Sequence, residues 1–390
     1  MLHHYYADMH IHIGRDMFNQ PVKITAANTL TLTNILKEAS RRKGIHMVGV
    51  IDGQSPAVQR EIKHLITKKE AYELAGGGIR FENVTLILGA EIEVYDEHCL
   101  GPIHVLCYMP TLDDMAHFSS WLSRYMKNVT LSSQRYYGTA KALQTKVKSL
   151  NGLFIPAHVF TPFKSLYGKG VKTSLTDVFD PELIDGIELG LSSNTEMADH
   201  ITELHQYTYV SNSDAHSLAK IAREYQEIIM AEPSFIEFAR ALQHVNGRKI
   251  HRNFGMNPKL GKYYTTVCGA CLQQVSPNIN LCPHCQHKRI VKGVYDRIQE
   301  LASDDRKLVS RPLYFHQVPL EYLPTLGPKT YQLLLDQFQT EMNIIHDVPY
   351  DELKKVVSEK LAQMIVKMRQ GQLDIKAGGG GKYGKVKLND

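Results

Sequence analysis

From residue 1 to about 220, short apolar runs alternate with longer amphipathic ones. The runs predict strands over 5–11, 46–51, 84–93, 102–108, 152–157, 186–190 and 207–211. Apolar residues at helical spacing predict helices over 33–42, 59–74, 115–127, 139–149 and 196–205. Strand and helix repeated in this order predict a parallel sheet with helical crossovers, and seven strands suit a closed barrel. The segment from 235 to 260 is amphipathic at first and then reads as a loop leading out of the barrel at Arg252-Asn253-Phe254-Gly255.

In barrels of this kind chemistry gathers at the carboxyl ends of the strands, and polar residues close several of these runs. The first run is Ala7-Asp8-Met9-His10-Ile11-His12-Ile13-Gly14. On an evenly alternating strand Asp8, His10 and His12 share one face, and Met9, Ile11 and Ile13 the other. Asp52 follows 47–51, Glu91 follows 86–90, His104 lies within 102–106, His158 follows 153–157, and the seventh run ends Asn212-Ser213-Asp214-Ala215-His216. Any one of these is an ordinary loop residue, but the repeated pattern supplies the imidazoles and carboxylates that a cluster of two or three divalent ions requires.

Length and cysteine usage sharpen the picture. A chain of 390 residues has room for two or three domains and at least one large core. Cys268-Gly269-Ala270-Cys271 and Cys282-Pro283-His284-Cys285 form two Cys-x-x-Cys knuckles, the spacing of a structural zinc site, whereas Cys99 and Cys107 read as small buried thiols. No run of eighteen apolar residues occurs, and the first residues resemble neither part of a secretory signal, so a soluble, cytoplasmic protein without membrane contact is expected. The net charge of +5 is a mild pointer to a polyanionic partner, made local by Lys367, Arg369, Lys376, Lys382, Lys385 and Lys387 near the end.

The segments Asp8-x-His10-x-His12, Gly89-x-Glu91, His104, His158 and Asp214-x-His216 together resemble the polymerase-and-histidinol-phosphatase (PHP) domain, a distorted seven-stranded barrel of phosphoesterases with a multinuclear metal site. The resemblance implies that His10, His12, Glu91, His104, His158, Asp214 and His216 are metal ligands, for zinc, manganese or magnesium. The family's second motif ordinarily ends Thr-Asp-His, and here Ile51-Asp52-Gly53-Gln54 lacks the histidine, with Asp52 or Asp16 as substitutes. Asp214, able both to bind metal and to orient or deprotonate water, is the expected catalytic residue, and Arg15 a clamp for a phosphoryl oxygen. Residues 164–170 or 192–194 are expected to wall the substrate pocket.

Beyond the knuckles, Leu323-Pro324-Thr325-Leu326-Gly327-Pro328-Lys329 opens a helix whose free amides and Lys329 suit a phosphate, and resembles half of a helix-hairpin-helix with Thr325 at its usual first Gly. A second helix is predicted over 350–368. The last stretch, with four glycines before Lys382, Tyr383 and Lys385, suits phosphate contact and base stacking, or else a flexible tail. The expected architecture is therefore α/β: a distorted (βα)7 PHP barrel over 1–235, a linker and four-cysteine zinc ribbon over 236–295, and a mainly helical DNA-binding region over 296–390. This order resembles the endonuclease Q family, which cuts DNA 5′ to deaminated bases (deoxyuridine, deoxyinosine, xanthine) or abasic sites. A histidinol-phosphatase-like enzyme and a non-catalytic DNA binder with a degenerate barrel are the alternatives. A sliding clamp or other repair partner is not specified by the sequence.

Overall fold

The computed structural model describes residues 1–303, 309–373, 375–376 and 384–386. All seven expected barrel strands form: β1 His3–Ile11, β2 Met47–Val50, β3 Val84–Val94, β4 Ile103–Met109, β5 Leu153–Pro156, β6 Ile187–Glu188 and β7 Tyr209–Val210. Strands β1, β2 and β3 are parallel, as are β6 and β7. Strand β4 is antiparallel to both neighbours, contrary to the all-parallel expectation. Only a short loop separates β3 from β4, too few residues for the crossover that a parallel pair needs. The ring closes through backbone bonds rather than long ladders: Val159 N–H donates to Glu188 O at 3.0 Å, and His12 N–H to Ala215 O at 3.1 Å.

A bulge in β1 aims the histidines. Ala7 pairs with Met47 and Ile11 with Val50, so the register slips by one residue between Asp8 and Ile11. The extra residue reverses which positions face inward. Ala7 and Met9 join the core of Met47, Ile51, Ile87, Leu106, Tyr108 and Ile155, whereas Ile11 and Ile13 join the outer core with Val48 and Val50. Even alternation over Asp8, His10 and His12 is thus overturned. Asp8 accepts from Ser213 N–H (3.0 Å) and Ala222 N–H (2.8 Å), and so anchors the loop after β7 instead of reaching the metal ligands. Gly49 allows this close passage, since a Cβ there would lie 2.3 Å from Met9 O.

Helices Leu32–Glu38, Pro56–Thr67, Leu112–Leu122 and Ala140–Ser149 cover the outside. The expected helix over 59–74 stops at Thr67, and Ala71–Glu73 pairs with Ile79–Phe81 instead. The expected helix over 196–205 is one turn, Thr195–Ala198, followed by a 3-10 turn. On the far side of β1 the sheet continues through β8 Tyr225–Met230, antiparallel to β1, β9 Lys249–Gly255, antiparallel to β8, and β10 Leu313–His316, parallel to β9. Arg252-Asn253-Phe254-Gly255 is therefore strand, not an exit loop. The outer core runs unbroken from Ile11 into Leu334, Ile344 and Ile365 of the C-terminal helices. There the expected helix over 350–368 divides at Val357 into Tyr350–Val356 and Glu359–Arg369, the second capped by Ser358.

A buried ion pair and an aromatic stack are among the contacts that join those helices to the barrel. Lys43 donates to both carboxylate oxygens of Glu341 at 2.9 Å, and Tyr331 O–H donates to the same group at 2.6 Å. His346 stacks on Tyr6 with ring centroids 4.8 Å apart and bonds Tyr225 O–H at 2.7 Å. No helix among the described residues is long and apolar enough to cross a membrane.

Candidate metal centre

Six of the seven expected ligands fall into two touching groups, His10, His12 and Asp214, and Glu91, His104 and His158. Within the first, Asp214 Oδ1 lies 3.5 Å from both His10 Nε2 and His12 Nε2. Glu91 joins the groups, its Oε1 2.8 Å from His104 Nδ1, 3.3 Å from His158 Nε2 and 3.6 Å from His10 Nε2. The seventh, His216, lies beside Asp214 with Nδ1 3.0 Å from its carbonyl oxygen. His158 (φ 31°) and Asp214 (φ 45°) hold left-handed backbone conformations, which non-glycine residues keep only where their surroundings impose them. Gly190 faces His158, where a Cβ would come within 2.9 Å of the histidine Cβ.

These residues fit metal ions on their own chemistry. His10 and His12 are fully buried, yet their Nε2 atoms have no hydrogen-bond partner, and His104 Nε2 shares that condition. Orphaned buried imidazole nitrogens facing carboxylates leave a place that a cation fills. Burial alone would lower the His10 pKa, but Glu188, Asp214 and Glu91 outweigh it and carry the group up to about 10. Burial pulls His216 down to about 4. Burial opposes ionisation of Glu91 and Asp214, but His104 and Lys23 hold the first, and His10, His12 and His216 the second, well below the usual carboxylate range.

The other nitrogens of the paired histidines are oriented by acids. His10 Nδ1 is 2.9 Å from Glu188, which also accepts from His158 N–H (2.8 Å) and Asn212 Nδ2 (2.7 Å). His12 Nδ1 lies 3.3 Å from Asp52, which accepts from Ile13 N–H at 2.7 Å. Asp52 therefore orients the expected ligand His12 from outside the cluster, where the sequence suggested a substitute ligand. Asp16 accepts from Phe18 and Gln20 N–H in its own loop. Arg15 is also turned away: its guanidinium bonds Asn28 at 2.9 Å at the exposed surface, because the chain bends out of the mouth after Gly14. Lys23 takes the inner position, 3.2 Å from Glu91. Sequence reasoning missed Glu188 and Lys23. Glu188 lies between Ile187 and Leu189, inside the expected strand over 186–190 and not after an apolar run, and Lys23 lies in a loop without periodicity, so neither carried the signal of the other acids.

Six of the expected ligands, all but His10, line a cleft of about 1020 Å³, together with Lys164, Ser192, Ser193, Lys220, Arg223 and Tyr263. Both expected wall segments thus contribute. Away from the cleft, Cys268, Cys271, Cys282 and Cys285 have all four sulfurs within 4.8 Å of one another, with Sγ pairs at 3.5 and 3.6 Å. Ligands about 2.3 Å from a tetrahedral ion stand about 3.8 Å apart, so the thiolates match that shape. Backbone N–H groups of Cys271 and Ala270 draw Cys268 down to about 6. Cys99 and Cys107 are buried thiols.

No protein-family model matches the chain. It is 53% identical to the protein YqxK of Bacillus subtilis over 98% of its own length and 99% of that protein. The lesion-specific endonuclease PfuEndoQ of Pyrococcus furiosus superposes with a TM-score of 0.85 at 31% identity, covering 99% of this chain and 96% of that one. The chain belongs to the endonuclease Q family. A second endonuclease Q structure, in complex with a 27-mer duplex substrate bearing an abasic lesion at the active site, superposes with a TM-score of 0.85 at 30% identity, covering 100% of this chain and 97% of that one. The chain is thus a metal-binding endonuclease of this family, with the PHP barrel, cysteine ribbon and helical end in the expected order.

Of the remaining residues singled out for DNA contact, Lys329 is exposed at the start of helix Pro328–Phe338, whose N-cap Gly327 has no side-chain cap. Thr325, at the hairpin's usual glycine, has a positive φ of 73°. Lys382 and Tyr383 lie outside the described residues. Lys385 belongs to the two-residue strand Lys385–Val386, paired with Ile375–Lys376, and Gly384 N–H donates to Leu260 O at 2.9 Å.

Proposed function

We propose that this endonuclease hydrolyses the DNA phosphodiester 5′ to a deaminated base or an abasic site. The observation that carries the reading is the convergence of His12, Glu91, His104, His158, Asp214 and His216 on one cleft, with His10 buried directly behind them against Glu91 and Asp214. Chain-long likeness to an endonuclease in complex with an abasic-lesion duplex supports DNA as the substrate. In this reading 1–235 is catalytic, 236–295 carries a structural zinc ion on the four cysteines, and 296–390 holds DNA.

The seven ligands would hold divalent zinc, manganese or magnesium, and such ions supply Lewis acidity at the phosphoryl oxygens and lower the pKa of water. Glu188 and Asp52 fix the ring orientations of His10 and His12. Asp214, its carboxylate kept ionised and about one-third exposed, faces the cleft as the group that orients the attacking water or accepts its proton. A cleft of about 1020 Å³ admits a nucleotide turned out of the duplex, which costs least where the base is damaged or mispaired. Lys329 and the free helix start beside it would grip backbone phosphate away from the chemistry.

The test offers the metal-loaded protein a uracil-containing duplex and a free phosphate monoester side by side. A single cut 5′ to the uracil, without monoester turnover, is expected. Turnover of the monoester alone overturns the nuclease reading in favour of a small-molecule phosphatase.

A further inference from the structure

On the far side of β1 the sheet collects metal-ligating groups that the cleft does not use. His4 of β1, Glu227 of β8 and His251 of β9 each bring one ligand atom within 4.8 Å of the other two. His4 sits at the start of β1, the opposite end from His10 and His12. It pairs with Ile229, and Tyr6 pairs with Glu227, so His4 and Glu227 are diagonal neighbours on one face of the antiparallel pair.

A second bulge brings in the other histidine. Glu227 pairs with Arg252 and Ile228 with Ile250, so β9 uses one residue more than β8 here, and His251 is the extra one. Ile228 and Ile250 join the inner core with Met9. On the opposite face His251 and Arg252 together stand against Glu227, two residues opposing one as a bulge requires.

Glu227 is buried, and its Oε1 lies 2.7 Å from His4 Nδ1. The His4 and His251 rings meet edge to face with centroids 5.0 Å apart. Glu227 Oε2 has no hydrogen-bond partner among the described residues, and Arg252 Nε stands 3.5 Å from it. The His4 side chain is about half exposed, so the cluster is open to solvent. His4 and Glu227 alone would make an ordinary surface pair. Such a pair has no need of the second imidazole that the bulge delivers to the same carboxylate. Two nitrogens and one oxygen are a donor set for zinc, whereas magnesium and calcium take oxygen ligands.

We propose that His4, Glu227 and His251 form a zinc site separate from the barrel centre. The ion would staple β1 to β9 across β8, which pairs with both. The positive charge of Arg252 beside Oε2 keeps this site weaker than the four cysteines, so it fills after them as zinc rises.

The test counts zinc. Tag-free wild type, His4→Ala and His251→Ala are brought to equilibrium by dialysis against graded zinc chloride, and the bound metal is measured by elemental analysis. At saturation each variant should hold one equivalent fewer than wild type, while its cleavage of a lesion-bearing duplex stays at the wild-type rate. Over the range where that equivalent binds, added zinc should raise the melting temperature of wild type more than that of either variant, because binding favours the folded state. Magnesium chloride should not substitute. Uptake by either variant equal to that of wild type would overturn the proposal. A deficit accompanied by matching loss of cleavage would assign the missing ion to the barrel and overturn it as well.

Discussion

Removing the charge on Glu188 probes the centre without touching a ligand. The carboxylate is buried, holds His10 Nδ1 at 2.9 Å, and accepts from His158 N–H and Asn212 Nδ2 at 2.8 and 2.7 Å. In Glu188→Gln one amide oxygen still accepts from His10, so ring orientation survives, but the negative charge that makes His10 a stronger donor to a cation is gone. Loss of such outer partners costs about 10–100-fold in metal affinity. By the relation of about 1.4 kcal/mol per tenfold, that is roughly 1.4–2.8 kcal/mol. Chelator competition measures it directly, and far-ultraviolet circular dichroism with a thermal scan checks that the strand is intact. A folded Glu188→Gln protein whose affinity falls less than about threefold, well short of what losing an outer partner costs, would refute the claim that this buried acid tunes the site.

Other outcomes follow from the rest of the fold. Lys43→Met strands Glu341 in a buried position and should cost about 3–5 kcal/mol in urea unfolding, with much of it recovered in Lys43→Met, Glu341→Leu; equal loss in both variants would contradict the pairing. Burial sets His346 at about 4, below the roughly 6.5 of an unfolded histidine, so the unfolded chain binds more protons between these values. Stability should therefore fall as pH drops from about 6.5 to 4, by at most about 3 kcal/mol, and His346→Gln should flatten the profile. Lys329→Ala should weaken DNA binding evenly across sequences and shrink the slope of log affinity against log salt by about 0.9; an unchanged slope places the lysine off the DNA.

Much of the candidate centre was legible in the sequence because several of the residues it brings together follow apolar runs. His10, Glu91, His158 and Asp214 each follow buried strand residues, and the strands converge on one rim. What was not legible depended on register and on loops. One inserted residue in β1 separated Asp8 from His10 and His12, and alternation along a single strand carries no sign of a bulge against its partner. Arg15 and Lys23 are both cations in the same loop, and only the turn after Gly14 decides which reaches Glu91. The antiparallel β4 was hidden because its residues are buried on both faces, as parallel strands usually are. Strand β9 was read as loop because its Asn253 and Gly255 look like turn residues, yet Asn253 is buried, donating to Tyr209 O at 3.2 Å.

The central claim is that histidines and acids from distant strands hold ions that break DNA beside a lesion. It is tested most directly by mapping cleavage of one end-labelled duplex carrying a single deoxyuridine, using metal-stripped, metal-restored and Asp214→Asn protein. One cut on the 5′ side of the deoxyuridine should appear with restored wild type, about 100-fold faster or more than with Asp214→Asn, and not with stripped protein. Equal cutting by stripped protein, or by Asp214→Asn, would contradict it.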